Sequence, residues 1–250
     1  MKNIIKKCIK KVFATSIGRK IFSLAASSLK FESMEVLGRE HNLSVKFSNT
    51  QLPEEIKGFE DLTFLFWSSP LNKGLIRMDM DEAAYLFKLV KSLSEPVCVE
   101  IGRFKGGSAF LIASAMNGGR LFSLDLHEKM MLREEGKSYD EEFIHALQKY
   151  RLREKVEVVV ADSASYDNSK ISCDLLFIDG DHSYEGVKKD FEHWMGCVKA
   201  GGHIIFHDAS RARPFAVYLE GIGRLVEELE GRGFVRKINE VGSSVHFIKD

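Results

Sequence analysis

The stretch that most constrains this chain is Val97–Gly107, VCVEIGRFKGG. An apolar run, Val97-Cys98-Val99, reaches an acid, Glu100, and then breaks at Gly102, Gly106 and Gly107. A helical pattern follows at once, Ser108-Ala109-Phe110-Leu111-Ile112-Ala113. Strand, glycine loop and helix in that order make the first turn of a doubly wound α/β unit, with ligand-binding N–H groups at the helix start. The glycines permit a sharp turn and a close backbone approach. Their spacing selects the ligand. A dinucleotide site needs G-x-G-x-x-G, whereas this loop reads Glu100-x-Gly102-x-x-x-Gly106. A carboxylate before the first glycine repels a pyrophosphate and attracts a cation.

An amino-acid ammonium is such a cation, which favours S-adenosylmethionine (SAM) over NAD. The composition is that of a globular protein, with 250 residues, 44% apolar and 29% charged. The formal net charge is zero, so nothing global points to nucleic acid. The four cysteines, Cys8, Cys98, Cys173 and Cys197, are scattered without a C-x-x-C, and read as small apolar residues of a reducing compartment. No apolar run is long enough to cross a bilayer, and a cytoplasmic location is expected.

Residues 1–30 carry seven lysines and Arg19 but no acid. Ile4, Ile5, Cys8, Ile9, Val12, Phe13, Ile17, Ile21 and Leu24 form a helical stripe opposite those cations. Such a basic amphipathic helix either lies on an anionic membrane surface through residues 1–25, at the inner face of the membrane, or packs on the core or on a second copy of the chain. Residues 31–75, with a short strand near Leu43–Phe47 and bulky Phe59, Phe64, Phe66 and Trp67, form an extension, either a lid or a flank.

From Asp81 a helix runs to about Ser94, stopped by Pro96. After the Val97–Gly107 turn and a helix to about Asn117, Leu121–Leu124 reads as the second strand, ending in Asp125. An acid there receives a ribose diol, because one carboxylate accepts two hydroxyls. The charged stretch Glu128–Gly136 is expected to be a loop, and Tyr139–Arg151 a helix. Val156–Val160 is the third strand, followed by Asp162 and Ser163, which face an adenine edge or cap a helix. The fourth strand, Leu175–Ile178, delivers Asp179, Asp181 and His182 within four residues at its carboxyl end. Grouped ionisable residues next to buried strand are costly unless they meet a metal, a ligand or one another. A helix is expected over Tyr184–Val198, a turn at Gly201-Gly202, and a fifth strand His203–Phe206 ending in His207-Asp208. Asp179, His207 and Asp208 offer ligands suited to Mg²⁺ or a related divalent ion. A helix from Pro214 to about Glu230 and the strands Phe234–Ile238 and Ser244–Ile248 close the chain; their short connection implies an antiparallel pair.

Three phrases, VEIGRFKGGSAFLIA, DLLFIDGDHSYEGVKKDFEHW and GGHIIFHD, make residues 76–250 resemble a class I SAM-dependent methyltransferase, specifically the methyltransferase 24 family. The resemblance implies a Rossmann-like, doubly wound seven-stranded sheet, five parallel strands plus an antiparallel closing hairpin, behind an N-terminal helical extension. It implies that Glu100, Gly102, Gly106 and Ser108 surround the methionine end of SAM, that Asp125 holds the ribose, and that Asp162 and Ser163 approach the adenine, with Asp179 beside the cofactor. Similar metal-dependent sugar O-methyltransferases place metal ligands at the positions of Asp179 and His207-Asp208, and a histidine base at that of His182. Catechol-type relatives carry Asp-Asn where this chain has His-Asp, which changes the metal geometry.

The expected chemistry is methyl transfer to a hydroxyl of a sugar, glycolipid or natural-product-like small molecule, with or without Mg²⁺. His182 or Asp181 takes the proton, and positioning supplies much of the rate. Two alternatives of other classes remain open, an iron-dependent hydroxylase built on the His/Asp cluster and a non-catalytic SAM-binding scaffold.

Overall fold

The computed structural model describes residues 53–69, 72–126, 139–210 and 220–250. The helix expected over residues 1–30, the strand expected at Leu43–Phe47, the charged loop Glu128–Gly136 and the start of the last helix at Pro214 lie outside them. The chain divides into two units. In one, Trp67–Ser69 pairs antiparallel with Asn72–Lys73. The other, which holds everything below, comprises residues 53–66 and 74–250. A 3₁₀ turn at Phe59–Leu65 buries Leu62, and Phe66 is buried just after it, so this part of the expected extension is core.

The helices and strands run α1 (Met80–Ser92), β1 (Val97–Ile101), α2 (Gly107–Ala115), β2 (Arg120–Asp125), α3 (Tyr139–Lys149), β3 (Val156–Val160) and β4 (Cys173–Ile178). They continue with α4 (Tyr184–Trp194), β5 (Val198–Phe206), α5 (Glu220–Leu229), β6 (Val235–Val241) and β7 (Ser244–Lys249). The seven strands order as β3-β2-β1-β4-β5-β7-β6. The first five are parallel; β7 runs antiparallel to β5 and pairs with β6 as a hairpin. The chain crosses from one half of the sheet to the other between β1 and β4, the switch point where ligands bind in such sheets.

The sheet is covered on both faces, which explains the unbroken apolar runs of its central strands. Cys98, Leu175, Phe177 and Ile205 point to one face and pack with α1, α2 and α3. Val99, Ile101, Leu176, Ile178, Ile204 and Phe206 point to the other and pack with α4 and α5. This is the two-residue alternation of a strand read across two cores. α2 is apolar nearly all round because it is buried nearly all round, from Ala109 to Ala113. Each fully buried side chain of the size of Phe110 contributes roughly 1.5–3 kcal/mol.

The end of α4 departs from its sequence pattern. α4 stops at Trp194, a 3₁₀ turn occupies Met195–Cys197, and β5 begins at Val198 rather than His203. Gly201, at φ 73°, and Gly202 lie within β5 instead of preceding it, and a register shift there re-aligns β4 with β5. Lys249 Nζ donates to the carbonyls of Met195 and Val198, so the last strand satisfies the groups this early turn leaves open. No helix among the described residues is long and apolar enough to cross a membrane.

Candidate active site

The carboxyl ends of β1, β2, β3, β4 and β5 open into a cavity of about 1060 Å³. Its wall includes Gly102 and Phe104 from the glycine loop, Ser108 of α2, Asp125 after β2, and Asp162 and Ser163 after β3. It also includes the turn Asp179–Ser183 after β4, and His207 and Asp208 after β5. Most of the site residues expected from sequence thus share one wall, since parallel strands of one sheet deliver their carboxyl ends to one side.

Glu100 and Gly106, expected at the methionine end of a cofactor, are not among the residues that line the cavity. Glu100 is fully buried and accepts hydrogen bonds from Ser108 Oγ at 2.5 Å and from Ser123 Oγ. Burial pushes its carboxyl up to about 7, although both serines and the nearby Arg103 pull the other way. Glu100 therefore supports Ser108 from beneath rather than reaching a ligand cation. The two left-handed glycines answer to packing. A Cβ at Gly102 (φ 90°) would strike the Asp179 carbonyl, and one at Gly106 (φ 80°) would enter the Phe143 ring. Only glycine lets the β1 and β4 turns approach this closely.

Arg103 sits between those glycines and is almost fully buried. Its Nε and Nη2 hold both oxygens of Asp140 at 3.0 and 2.9 Å, and Nη1 donates to the carbonyls of Ser123 and Val159. One side chain thus ties the loop to β2, β3 and α3. Sequence reasoning missed it; the available signal was a cation inside a glycine loop. Phe104 follows in a left-handed conformation, φ 47°, its amide donating to Asp125 Oδ2 at 2.8 Å. Strained non-glycine backbone of this kind collects at ligand sites.

On the β3 side, Asp162 Oδ1 accepts the Ala164 amide at 3.0 Å, a local turn, while Ser163 Oγ donates to the buried Asp190 at 2.5 Å. Burial raises Asp190, and the neighbouring charges of Asp162 and Asp181 add to it. Asp181 Oδ1 accepts the Ser183 amide, closing the turn that starts α4.

The densest polar group joins β4 and β5. His207 is buried; its Nδ1 lies 3.2 Å from Asp179 Oδ1 and its Nε2 lies 3.2 Å from Glu82 Oε2. Burial disfavours charge on that ring, but the Asp179 charge and hydrogen bonds to Asp179 and Glu82 outweigh it and hold His207 well above the ordinary histidine value. Burial likewise acts to raise Asp179, yet the charges of His207 and His182 beside it and the hydrogen bond with His207 lower it. His182 Nε2 lies 3.3 Å from Asp179 Oδ1 and 3.6 Å from Asp208 Oδ2, buried and off the hydrogen-bonding direction of either. Asp179, opposed by partial burial, raises His182 above its ordinary value.

Of the expected metal set Asp179, His207 and Asp208, His207 is engaged elsewhere. Each ring nitrogen of His207 faces a carboxylate, Asp179 on one side and Glu82 on the other. Asp179, His182 and Asp208 instead present ligand atoms all within 4.8 Å of one another. Two carboxylates and a buried, unpartnered imidazole nitrogen fit a divalent cation.

Residues 99–209 match the model of a family described as a methyltransferase domain. The chain is 31% identical over 139 residues to an uncharacterized protein of Sinorhizobium fredii, covering 52% of this chain and 15% of that protein. It is 28% identical over 138 residues to an uncharacterized protein of Acanthamoeba polyphaga mimivirus, covering 53% and 60%. The chain thus spans less than two thirds of the length of either relative. In fold it is similar to an O-methyltransferase from Bacillus cereus solved in complex with SAH, at 22% identity and a TM-score of 0.51, over 67% of this chain and 80% of that one.

Proposed function

We propose that this chain transfers the methyl group of SAM to a hydroxyl oxygen of a small molecule, with sugars, glycolipids and natural-product-like compounds as the acceptor class. The observation that carries the reading is the shared cavity. In it the Gly102 loop, Asp125 and Ser108 face the turn that bears Asp179 and His182. The family match over residues 99–209 and the SAH-bound fold neighbour support the cofactor. The polar wall of Asp181, Ser183 and Asp208 beside the reacting turn favours a polyhydroxyl acceptor. The basic stripe of residues 1–25 favours one presented at an anionic membrane surface.

In this reading Asp125 takes the ribose diol, Asp162 and Ser163 border the adenine, and the methionine end lies over Gly102 and Ser108. The sulfonium then faces Asp179–His182. The acceptor O–H gives its proton to the imidazole of His182, which lines the cavity, the oxygen lone pair forms the new O–C bond, and the C–S bond breaks to leave SAH. His182 suits this better than Asp181, because Asp181 already accepts the Ser183 amide. The raised affinity of His182 for protons retains the one it receives. Asp179 and Asp208 would hold its imidazolium after the transfer. Asp179, His182 and Asp208 would also hold a divalent ion, which when bound supplies a lowered pKa at the acceptor hydroxyl. One nitrogen cannot take both the proton and the ion, so a chelator distinguishes the two modes.

The test is a calorimetric titration with SAM, with and without Mg²⁺, on the wild type and Asp125→Ala. The expected result is micromolar binding that Asp125→Ala weakens by roughly 30- to 100-fold, about 2–3 kcal/mol for lost charge-assisted hydroxyl bonds. Absence of SAM binding by the folded wild type in both conditions refutes the reading.

A further inference from the structure

Glu82 stands outside the cavity, yet it is joined to both strand ends that build the reacting corner. It lies in the first turn of α1, 3% exposed, and is separated from His207 by 125 residues. Oε2 faces His207 Nε2 at 3.2 Å and accepts the Asp79 amide at 3.3 Å, while Oε1 accepts the Ser243 amide. A helix-capping glutamate needs only the Asp79 bond. The other two bonds leave the helix, and each leads to the site.

The first route is short: His207 Nδ1 meets Asp179 Oδ1 at 3.2 Å. The second passes through Ser243, in the turn between β6 and β7. Its carbonyl accepts the amides of Ala209 and Ser210, each at 2.8 Å, and its Oγ accepts the Asp208 amide at 3.3 Å. Asp208 itself sits at φ 53°, a backbone state that persists only where its surroundings enforce it. Gly242, at φ 60°, closes the hairpin turn directly over Glu82, where a Cβ would strike the carboxylate.

We propose that Glu82 is a positioning residue of this site, setting Asp179 through His207 and Asp208 through Ser243. The proposal rests on the methyl-transfer reading of the cavity. It explains why a carboxylate is buried outside the cavity, since one oxygen faces His207, which meets Asp179, and the other accepts the amide of Ser243, whose Oγ accepts the Asp208 amide.

The test uses the full chain with ¹⁵N-labelled histidine, as wild type, Glu82→Ala, Glu82→Gln and Ser243→Ala, all at one pH. SAM titration and urea unfolding are run beside long-range ¹H–¹⁵N spectra of the imidazoles. SAM affinity is expected to stay within about twofold across the series. In Glu82→Ala the ring signals of both His207 and His182 shift, although Glu82 touches only His207; Glu82→Gln shifts them less. Ser243→Ala shifts His182, whose Nε2 faces Asp208, and leaves His207 nearer its wild-type position. His182 signals that stay in place in folded Glu82→Ala and in Ser243→Ala overturn the proposal. If Glu82→Ala fails to fold, Glu82→Gln and Ser243→Ala decide alone. A wild type that does not bind SAM refutes the methyl-transfer reading, while the histidine spectra still decide whether Glu82 positions this corner.

Discussion

Glu100→Gln separates a carboxylate that binds a ligand from one that holds up a loop. Glu100 is wholly inaccessible, it accepts from Ser108 and Ser123, and burial raises its carboxyl from an ordinary 4.5 to about 7. A carboxyl raised on folding makes its full contribution to stability below the unfolded value of 4.5, and loses it as pH rises through about 7. The loss amounts to roughly 1 kcal/mol at pH 5 and about 3 kcal/mol at pH 8, at 1.36 kcal/mol per unit. Glutamine keeps the shape but carries no such proton. The two serine hydroxyls can rotate to meet its amide, so any fixed cost of the exchange is independent of pH. Urea unfolding of both proteins from pH 5 to pH 8 should therefore show the wild type falling relative to Glu100→Gln by roughly 2–3 kcal/mol. Parallel profiles would refute the buried-proton argument. SAM affinity is expected to survive the exchange, because Glu100 does not reach the cavity wall.

Two further substitutions probe other parts of the frame. Arg103→Ala removes a buried cation from Asp140 and from two strand carbonyls, and should cost about 3–5 kcal/mol in urea unfolding. Arg103→Lys should recover little of this, because an ammonium cannot grip both oxygens of Asp140. His246 is buried beside Tyr85 and His203, and burial lowers it from 6.5 to about 4. A histidine lowered on folding contributes stability above 6.5 that is lost as pH falls toward 4, about 3 kcal/mol in all. Replacing His246 with Gln should flatten the acid limb of the stability profile between those values, which unfolding measured from pH 7 to pH 4 checks.

Local chemistry explains what could be read without a structure. The strand–loop–helix pattern around Val97–Ser108 and the β-branched run Val156–Val160 declare their elements through nearest neighbours, as does the four-residue group Asp179–His182. Once five such strands are taken as parallel, their carboxyl ends must share one side of the sheet. That is why Asp125, Ser163, Asp179 and Asp208 line one cavity as expected. The end of α4 was misread because the apolar spacing continues past Trp194, whereas the pairing of Val198 with Cys173 ends the helix.

What remained hidden depends on partners far along the chain. Glu82 reads as an ordinary capping acid until β5 and the β6–β7 turn are folded against it. His207 reads as a free ligand until Glu82 and Asp179 are folded against its two nitrogens. Glu100 reads as facing the ligand until Ser123, on the next strand, draws it inward. The sequence by itself determined the elements, their order, and the side of the sheet on which chemistry gathers, because hydrophobic period and glycine placement act over a few residues. Only the tertiary structure decided which of those charged groups line the cavity and which meet one another, because a buried charge takes whichever partner packing brings within about 3 Å.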